Sequence, residues 1–133
     1  MRIGACLVLC VLPLLATAAT TGEEDTIVIN PINATDFEVI QGTNFGAAEF
    51  WCGAATYIER RTGRSELTPI YVKRPQGPSL TAPGRNGVVF SISNTGLPPA
   101  PNRLTLTVGT QGAVLKSVRA RIYCRDAFSR STK

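Results

Sequence analysis

The sequence predicts an α+β domain, in which a mainly antiparallel sheet of five or six strands packs one helix on one face. Three observations lead to this fold class. One stretch, residues 45–63, has helical periodicity. The rest of the chain alternates between short β-rich runs and loops rich in glycine and proline. Finally, one cysteine lies in the helical stretch and another in the last predicted strand, so a disulfide bond would tie the helix to that strand.

The helical stretch is defined by an apolar stripe with the spacing of one buried helix face. The stripe consists of Ala48, Trp51, Ala55, Ile58 and Thr62. The opposite face is expected to meet water and carries Glu49, Gly53, Thr56 and Arg60. Thr43 or Asn44 is the predicted N-cap, and Gly63 is placed where a left-handed residue would end the helix. Cys52 lies at the edge of the stripe and can therefore reach a neighbouring strand.

Residues 1–18 have the pattern of a signal peptide. Arg2 gives a positive start, residues 3–15 form an apolar run, and Ala16-Thr17-Ala18 matches the small-x-small cleavage pattern. The run is shorter than the ~20 apolar residues that a membrane-spanning helix needs, so no transmembrane segment is expected in the mature chain. The alternative is an uncleaved N-terminal anchor. The expected product is a single exported domain, residues 19–133, in the periplasm or outside the cell.

Cysteine usage agrees with export. Cleavage would remove Cys6 and Cys10 and leave Cys52 and Cys124. Two cysteines in an exported chain usually pair, and in the chain-entropy model this bond would contribute roughly 4 kcal/mol to stability. The alternative is a pair of free, buried thiols. A redox-active pair is disfavoured because the chain contains no Cys-x-x-Cys motif.

The predicted strands are separated by turn and loop signals. They cover residues 26–30, 37–41, 69–74, 88–93, 104–108 and 114–124. Residues 75–87 hold three prolines and three glycines and are predicted to be an irregular loop. Asn33-Ala34-Thr35 matches an N-glycosylation sequon, although its turn chemistry is the preferred interpretation. In the last strand, alternation turns Val118, Ala120, Ile122 and Cys124 towards the core.

The composition excludes several kinds of active site. The chain has no histidine, so the commonest general base and the commonest transition-metal ligand are both missing. No P-loop or dinucleotide-binding motif is present, and neither a metal nor a cofactor is expected. Carboxylates remain, and Glu59 and Asp126 are the acids that could take part in chemistry. Lys73 with Ser79 or Thr81 would be needed for a Ser-Lys type of nucleophile.

The Gly/Pro-rich loop is the first candidate for a functional site. Its candidate binding residues are Lys73, Arg74, Ser79, Arg85 and Asn86. Glycines expose backbone amides and prolines hold the loop open, so the loop is predicted to bind an anionic ligand or an acidic protein. The alternative is a tight connection between two strands whose charges only keep the protein soluble.

A basic stripe on the last predicted strand is the second candidate. Alternate residues of a strand share a face, which here would carry Arg119, Arg121, Tyr123 and Arg125. Such a face is suited to a polyanion. With a formal net charge of +5 and an expected export, no nucleic acid partner is predicted, and an ordinary outward sheet face is the preferred interpretation.

Four short segments carry a resemblance to known proteins. They are residues 50–55 (FWCGAA), 70–73 (IYVK), 87–90 (GVVF) and 123–126 (YCRD). This pattern resembles small exported proteins of alphaproteobacteria, a group without an assigned function. The resemblance implies a periplasmic or secreted bacterial protein, makes the sequon irrelevant and carries over no catalytic residue.

Three functional hypotheses follow. The first is a non-enzymatic exported module that binds an unknown protein or anionic ligand through the Gly/Pro-rich loop. The second is a small hydrolase or transferase that uses carboxylates such as Glu59, which a cleft joining Glu59 to a second acid would favour. The third is a structural or inhibitory envelope protein that acts through the sheet face.

Overall fold

A computed structural model of the chain describes Gly4, residues 26–102 and residues 105–127. Within these ranges five antiparallel strands form one sheet in the order β1-β2-β4-β3-β5. The strands are β1 (Ile29–Pro31), β2 (Asp36–Ile40), β3 (Pro69–Pro78), β4 (Asn86–Ser91) and β5 (Val114–Lys116). The helices are α1 (Ala47–Thr56), α2 (Ser117–Ile122) and α3 (Cys124–Ala127). The predicted α+β class is confirmed.

The N-terminal predictions fall mostly outside these ranges. The predicted signal peptide, apart from Gly4, and its cleavage site lie outside the described residues. No helix in the part of the chain that the structure describes has the length and apolar character needed to cross a membrane.

Helix α1 confirms the predicted helix, with a different N-cap. The N-cap is Gly46, whose backbone N–H donates to Glu49 Oε2 at 2.8 Å. Asn44, one of the two predicted caps, instead has a φ of 60° in the turn before the helix. The helix continues as a π-helical turn, Tyr57–Arg61, and Gly63 follows with a φ of 66°, as predicted for the residue that ends it.

The expectation that one face of α1 meets water is wrong. Glu49 is 4% exposed and Thr56 is 5% exposed. Gly53 packs against β2 so closely that an added Cβ would lie 2.9 Å from Val39 Cγ1. The helix lies between the sheet and the C-terminal helices, and this arrangement leaves little of its surface to solvent.

The last predicted strand is wrong beyond Lys116, because the chain there forms α2 and α3. Small residues at helical spacing, Ser117, Ala120 and Ala127, are buried, whereas Ile122 is 53% exposed. These small side chains let the two short helices approach α1. The predicted disulfide between Cys52 and Cys124 is present, with a Cα–Cα distance of 4.8 Å. It therefore ties α1 to α3 and not to a strand.

The prediction of an irregular loop over residues 75–87 holds for residues 79–85 and is wrong at both ends, which belong to β3 and β4. Strand β3 continues to Pro78 with two register shifts between Val72 and Gly77, and Pro75 lies within the second of them. The connection to β4 ends in a turn in which Arg85 N–H donates to the Ala82 carbonyl at 3.0 Å. Pro83 takes the second position and Gly84 the third with a φ of 80°, which is the type II pattern.

The strand predicted over residues 104–108 is not found where the chain is described. Leu104 lies outside the described residues, and residues 105–108 are irregular. This segment still supplies two backbone acceptors. Nε1 of the buried Trp51 donates to the Thr107 carbonyl, and the N–H of Gln76 on β3 donates to the Val108 carbonyl, both at 3.0 Å. It covers the outer edge of β3, where a free strand edge would otherwise be exposed.

Strands β2 and β4 are buried on both faces of the sheet. One face carries the aromatic and branched side chains that pack under α1: Phe37, Val39, Val72, Val88 and Phe90. The opposite face carries a second set that is also withdrawn from solvent: Asp36, Glu38, Ile40, Val89 and Ser91. No helix covers this second face in the described residues. The end of the β3–β4 hairpin folds over part of it.

Candidate binding surface on the β3–β4 hairpin

Residues 79–85, named here the hairpin tip, are anchored to a buried acid on β2. Glu38 is 1% exposed. Its Oε1 accepts hydrogen bonds from Ser79 Oγ (2.6 Å), Thr81 Oγ1 (2.6 Å) and Thr81 N–H (3.0 Å), and its Oε2 accepts one from Leu80 N–H (2.9 Å). All four donors belong to the tip. A single carboxylate therefore holds the tip against the sheet.

Glu38 is ionised in this setting. Burial alone would raise the pKa of its carboxyl, but hydrogen bonds from Ser79, Thr81 and the backbone of Leu80 outweigh that effect and lower the pKa. The negative charge is stabilised by hydroxyl and amide donors, with no cation among these partners. The lowered pKa means that these hydrogen bonds favour the ionised carboxylate. Protonation of Glu38 should therefore weaken the contact between the hairpin tip and the sheet.

A second buried acid on the same face holds Lys73. Asp36 is 4% exposed, and its Oδ2 accepts hydrogen bonds from Lys73 Nζ and from Asn33 Nδ2. Burial raises the pKa of the Asp36 carboxyl, but the hydrogen bonds from Lys73, Ser91, Asn33 and Thr35 hold it well below its usual range. Asn33 also accepts from the backbone of Thr35 and Asp36, which confirms the turn predicted there.

These two buried acids determine the charge of the hairpin surface. Residues 69–91 contain Lys73, Arg74 and Arg85 and no acidic residue. Asp36 and Glu38 lie beneath the hairpin, where solvent does not reach them, and Lys73 is neutralised by Asp36. The exposed charged side chains of the hairpin are therefore Arg74, Arg85 and the partly exposed Lys73, and all three are positive.

A shallow depression of about 360 Å³ lies beside the hairpin tip. Its lining is polar and comes from two segments, Gln41–Thr43 after β2 and Gly84–Asn86 at the turn: Gln41, Gly42, Thr43, Gly84, Arg85 and Asn86. The segments are joined by two hydrogen bonds, from Arg85 Nη2 to the Gln41 carbonyl (3.0 Å) and from Gln41 N–H to the Asn86 carbonyl (2.8 Å).

The predicted binding residues thus lie in different places and have different partners. Arg85 and Asn86 come together at the depression, and Arg74 is exposed on β3. Ser79 and Lys73 are engaged by different acids, Glu38 and Asp36, so they do not form a Ser-Lys pair. Sequence reasoning missed Glu38, although one signal was present, because Glu38 shares strand parity with the apolar Ile40 and is therefore drawn to a buried face.

The basic stripe predicted on the last strand is not a sheet face. Arg119 and Arg121 lie on α2, Tyr123 joins the two helices, and Arg125 lies on α3. The residues are related by helical geometry, so alternate positions no longer share one face. Arg121 is also hydrogen-bonded to two acids: its Nη1 donates to Glu59, and its Nη2 donates to Glu66 at 3.3 Å.

Glu59 lines a pocket of about 250 Å³ beside the disulfide. The described residues that line it are Ala55, Thr56, Glu59, Arg60, Arg121 and Cys124. Glu59 is the one acid among them, and its carboxylate accepts hydrogen bonds from Ser117 Oγ (2.9 Å) and Arg121. The paired carboxylates needed for acid–base hydrolysis are not assembled in this pocket. Asp126, the other acid singled out from the sequence, lies on α3.

A metal site and similarity to known proteins are two further possible guides to function. Within residues 26–102 and 105–127, no group of three or more His, Cys, Asp or Glu side chains is arranged to hold a metal ion. Comparison of the chain with family models, with curated proteins and with solved structures gives no match. Function is therefore inferred from the geometry of the chain itself.

Proposed function

We propose that this protein is an exported, non-enzymatic binding module that captures an acidic protein or an anionic ligand on its β3–β4 hairpin. One observation carries the proposal: the charged side chains that the hairpin exposes are all positive, whereas the two acids beneath it, Asp36 and Glu38, are buried. A surface of one sign attracts partners of the opposite sign and raises the rate at which they associate.

Preorganisation of the tip supports the same role. Binding costs free energy when loops and side chains must be ordered, so a loop that is already held in place binds with a smaller penalty. Glu38 orders residues 79–81 through four hydrogen bonds. Leu80 remains 57% exposed between them and offers an apolar contact beside the arginines.

The positions of the nucleophile and base candidates support binding over catalysis. Ser79 is hydrogen-bonded to Glu38, while Lys73 is paired with Asp36. Glu59 is held by Ser117 and Arg121 and faces no second acid in its pocket. Each of these groups has a structural partner that would have to be given up during a reaction.

Export is part of the proposal and has two supports. The Cys52–Cys124 disulfide is of a kind that persists in oxidising compartments. The N-terminal sequence pattern and the resemblance to exported alphaproteobacterial proteins point to the same location. We place the protein in the periplasm or the extracellular medium.

The test compares two double variants that each remove two positive charges. Arg74→Ala with Arg85→Ala alters the hairpin, and Arg119→Ala with Arg125→Ala alters the C-terminal helices. Binding of poly-L-glutamate to the immobilised mature protein is measured at low ionic strength. We expect the hairpin variant to bind about 5-fold more weakly or worse, and the matched control to bind nearly as the wild type does. Equal losses in both variants, or no loss in the hairpin variant, would overturn the proposal.

A further inference from the structure

We infer that the depression between residues 41–43 and residues 84–86 is a binding site for a single oxyanion, the carboxylate or phosphate group of a ligand. The inference rests on the proposed function and names the chemical group that the hairpin captures. It assigns the contact to Arg85 and the segment after β2, and not to Arg74.

The first support is a positioned cation. One nitrogen of the Arg85 guanidinium, Nη2, is fixed 3.0 Å from the Gln41 carbonyl. Arginine carries five N–H donors in a planar fork, so this bond orients the group and leaves other donors available. Carboxylates and phosphates are bound well by such a fork because two parallel hydrogen bonds can form.

The second support is a set of unused backbone donors. Among the described residues, the amide N–H groups of Gly42, Thr43 and Gly84 donate to no protein acceptor. All three residues line the depression, together with Asn86. Backbone amides carry partial positive charge, and several of them around a concavity favour an anion.

The third support is the composition of the lining. Of the described residues that line the depression, none is acidic. Glu38, the buried acid of the adjoining strand, is engaged by four donors of the tip and is 1% exposed. An incoming oxyanion would therefore meet donors and one cation.

The test uses the ¹⁵N-labelled mature protein and follows its amide chemical shifts. Sodium phosphate and sodium acetate are added separately, with sodium chloride at matched ionic strength as the reference. We expect saturable shifts at Gly42, Thr43 and Gly84 with a Kd of roughly 1–10 mM, which is ordinary for one small ion on a few hydrogen bonds. The salt that binds more tightly identifies the source as phosphate or carboxylate. Shifts that do not saturate, or that chloride reproduces, would overturn the inference.

Variants separate this site from the wider hairpin surface. Arg85→Gln should weaken oxyanion binding at least about 5-fold, since its charge-assisted bonds are lost, whereas Arg74→Gln should leave it unchanged. Asn86→Asp leaves the residues of the bond between Arg85 and Gln41 unchanged and adds a negative charge, so it should also weaken oxyanion binding at least about 5-fold. If both site variants bind the ions normally, the inference fails. Poly-L-glutamate capture that survives in them would leave the hairpin proposal standing, whereas capture lost only with Arg74 would confine the function to that residue.

Discussion

The carboxylate of Glu38 and the hydroxyl of Ser79 lie 2.6 Å apart, although 41 positions separate the two residues in the chain. This contact makes the order of the hairpin tip depend on a strand that does not belong to the hairpin. A turn with three prolines and three glycines nearby would otherwise have few interactions to fix it. The basic surface proposed to bind a partner is thus positioned by an acid that the partner never touches.

Replacing Glu38 with alanine is expected to lower stability and release the tip. Four hydrogen bonds are lost, and each contributes a net ~0.5–1.5 kcal/mol, so we expect a total loss of roughly 2–6 kcal/mol. Urea unfolding measures this loss, and limited proteolysis with cleavage next to Leu80 measures the release. Glu66→Ala is the control, because that side chain is 53% exposed and should change stability by less than about 0.5 kcal/mol. Similar stability and cleavage in the two variants would contradict the conclusion that Glu38 holds the hairpin tip against the sheet.

Stability is expected to fall as the pH drops below about 4. Asp36 and Glu38 both have a folded pKa below the ordinary value, so their contribution is present above the unfolded-state values of about 4 and is lost as the pH falls towards the lower folded values. Urea unfolding between neutral and acidic pH measures the loss. The double variant Asp36→Asn with Glu38→Gln should show a shallower dependence on pH. An unchanged slope would mean that other acids govern the acid response.

Removing the disulfide is expected to cost roughly 4 kcal/mol. The bond joins residues 72 positions apart, and a loop of this size gives a large entropic constraint on the unfolded chain. The double variant Cys52→Ala with Cys124→Ala avoids placing an unpaired hydroxyl in the core, where Cys52 is fully buried. Thermal unfolding measures the change. In the wild type, alkylation before reduction should modify no thiol at these two positions, and modification of both would refute the pairing.

The helix and the disulfide were predictable because their signals are local or follow from the compartment. The stripe through Trp51, Ala55 and Ile58 specifies a helix without reference to the rest of the fold. Pairing of Cys52 with Cys124 follows from their being the two cysteines left after the expected cleavage. Neither inference requires knowledge of which elements are neighbours.

The C-terminal helices were missed because two periodicities coexist in the same residues. Val118, Ala120 and Ile122 alternate as in a strand, while Ser117, Ala120 and Ala127 repeat at helical spacing. The helical set is buried and Ile122 is exposed. Packing against α1 favours the small side chains, and this preference appears only once the helix partner is in place.

Only one of the two segments that line the depression could be predicted from the sequence. Arg85 and Asn86 were candidates because they lie in the predicted Gly/Pro-rich loop. The opposite wall, Gln41 to Thr43, has no distinctive chemistry and becomes part of the site only because β2 pairs with β4. A long-range pairing of this kind depends on the register of the whole sheet, which local patterns do not specify.

The position of Trp51 provides an intrinsic optical probe of the fold. It is the single tryptophan of the chain, it is 1% exposed, and its ring lies 5.1 Å from that of Phe90 across the interface between helix and sheet. Its fluorescence should therefore follow the separation of α1 from the sheet and stay constant when the distant tip alone opens. Protease sensitivity combined with an unchanged emission spectrum would distinguish fraying of the hairpin from cooperative unfolding in one and the same sample.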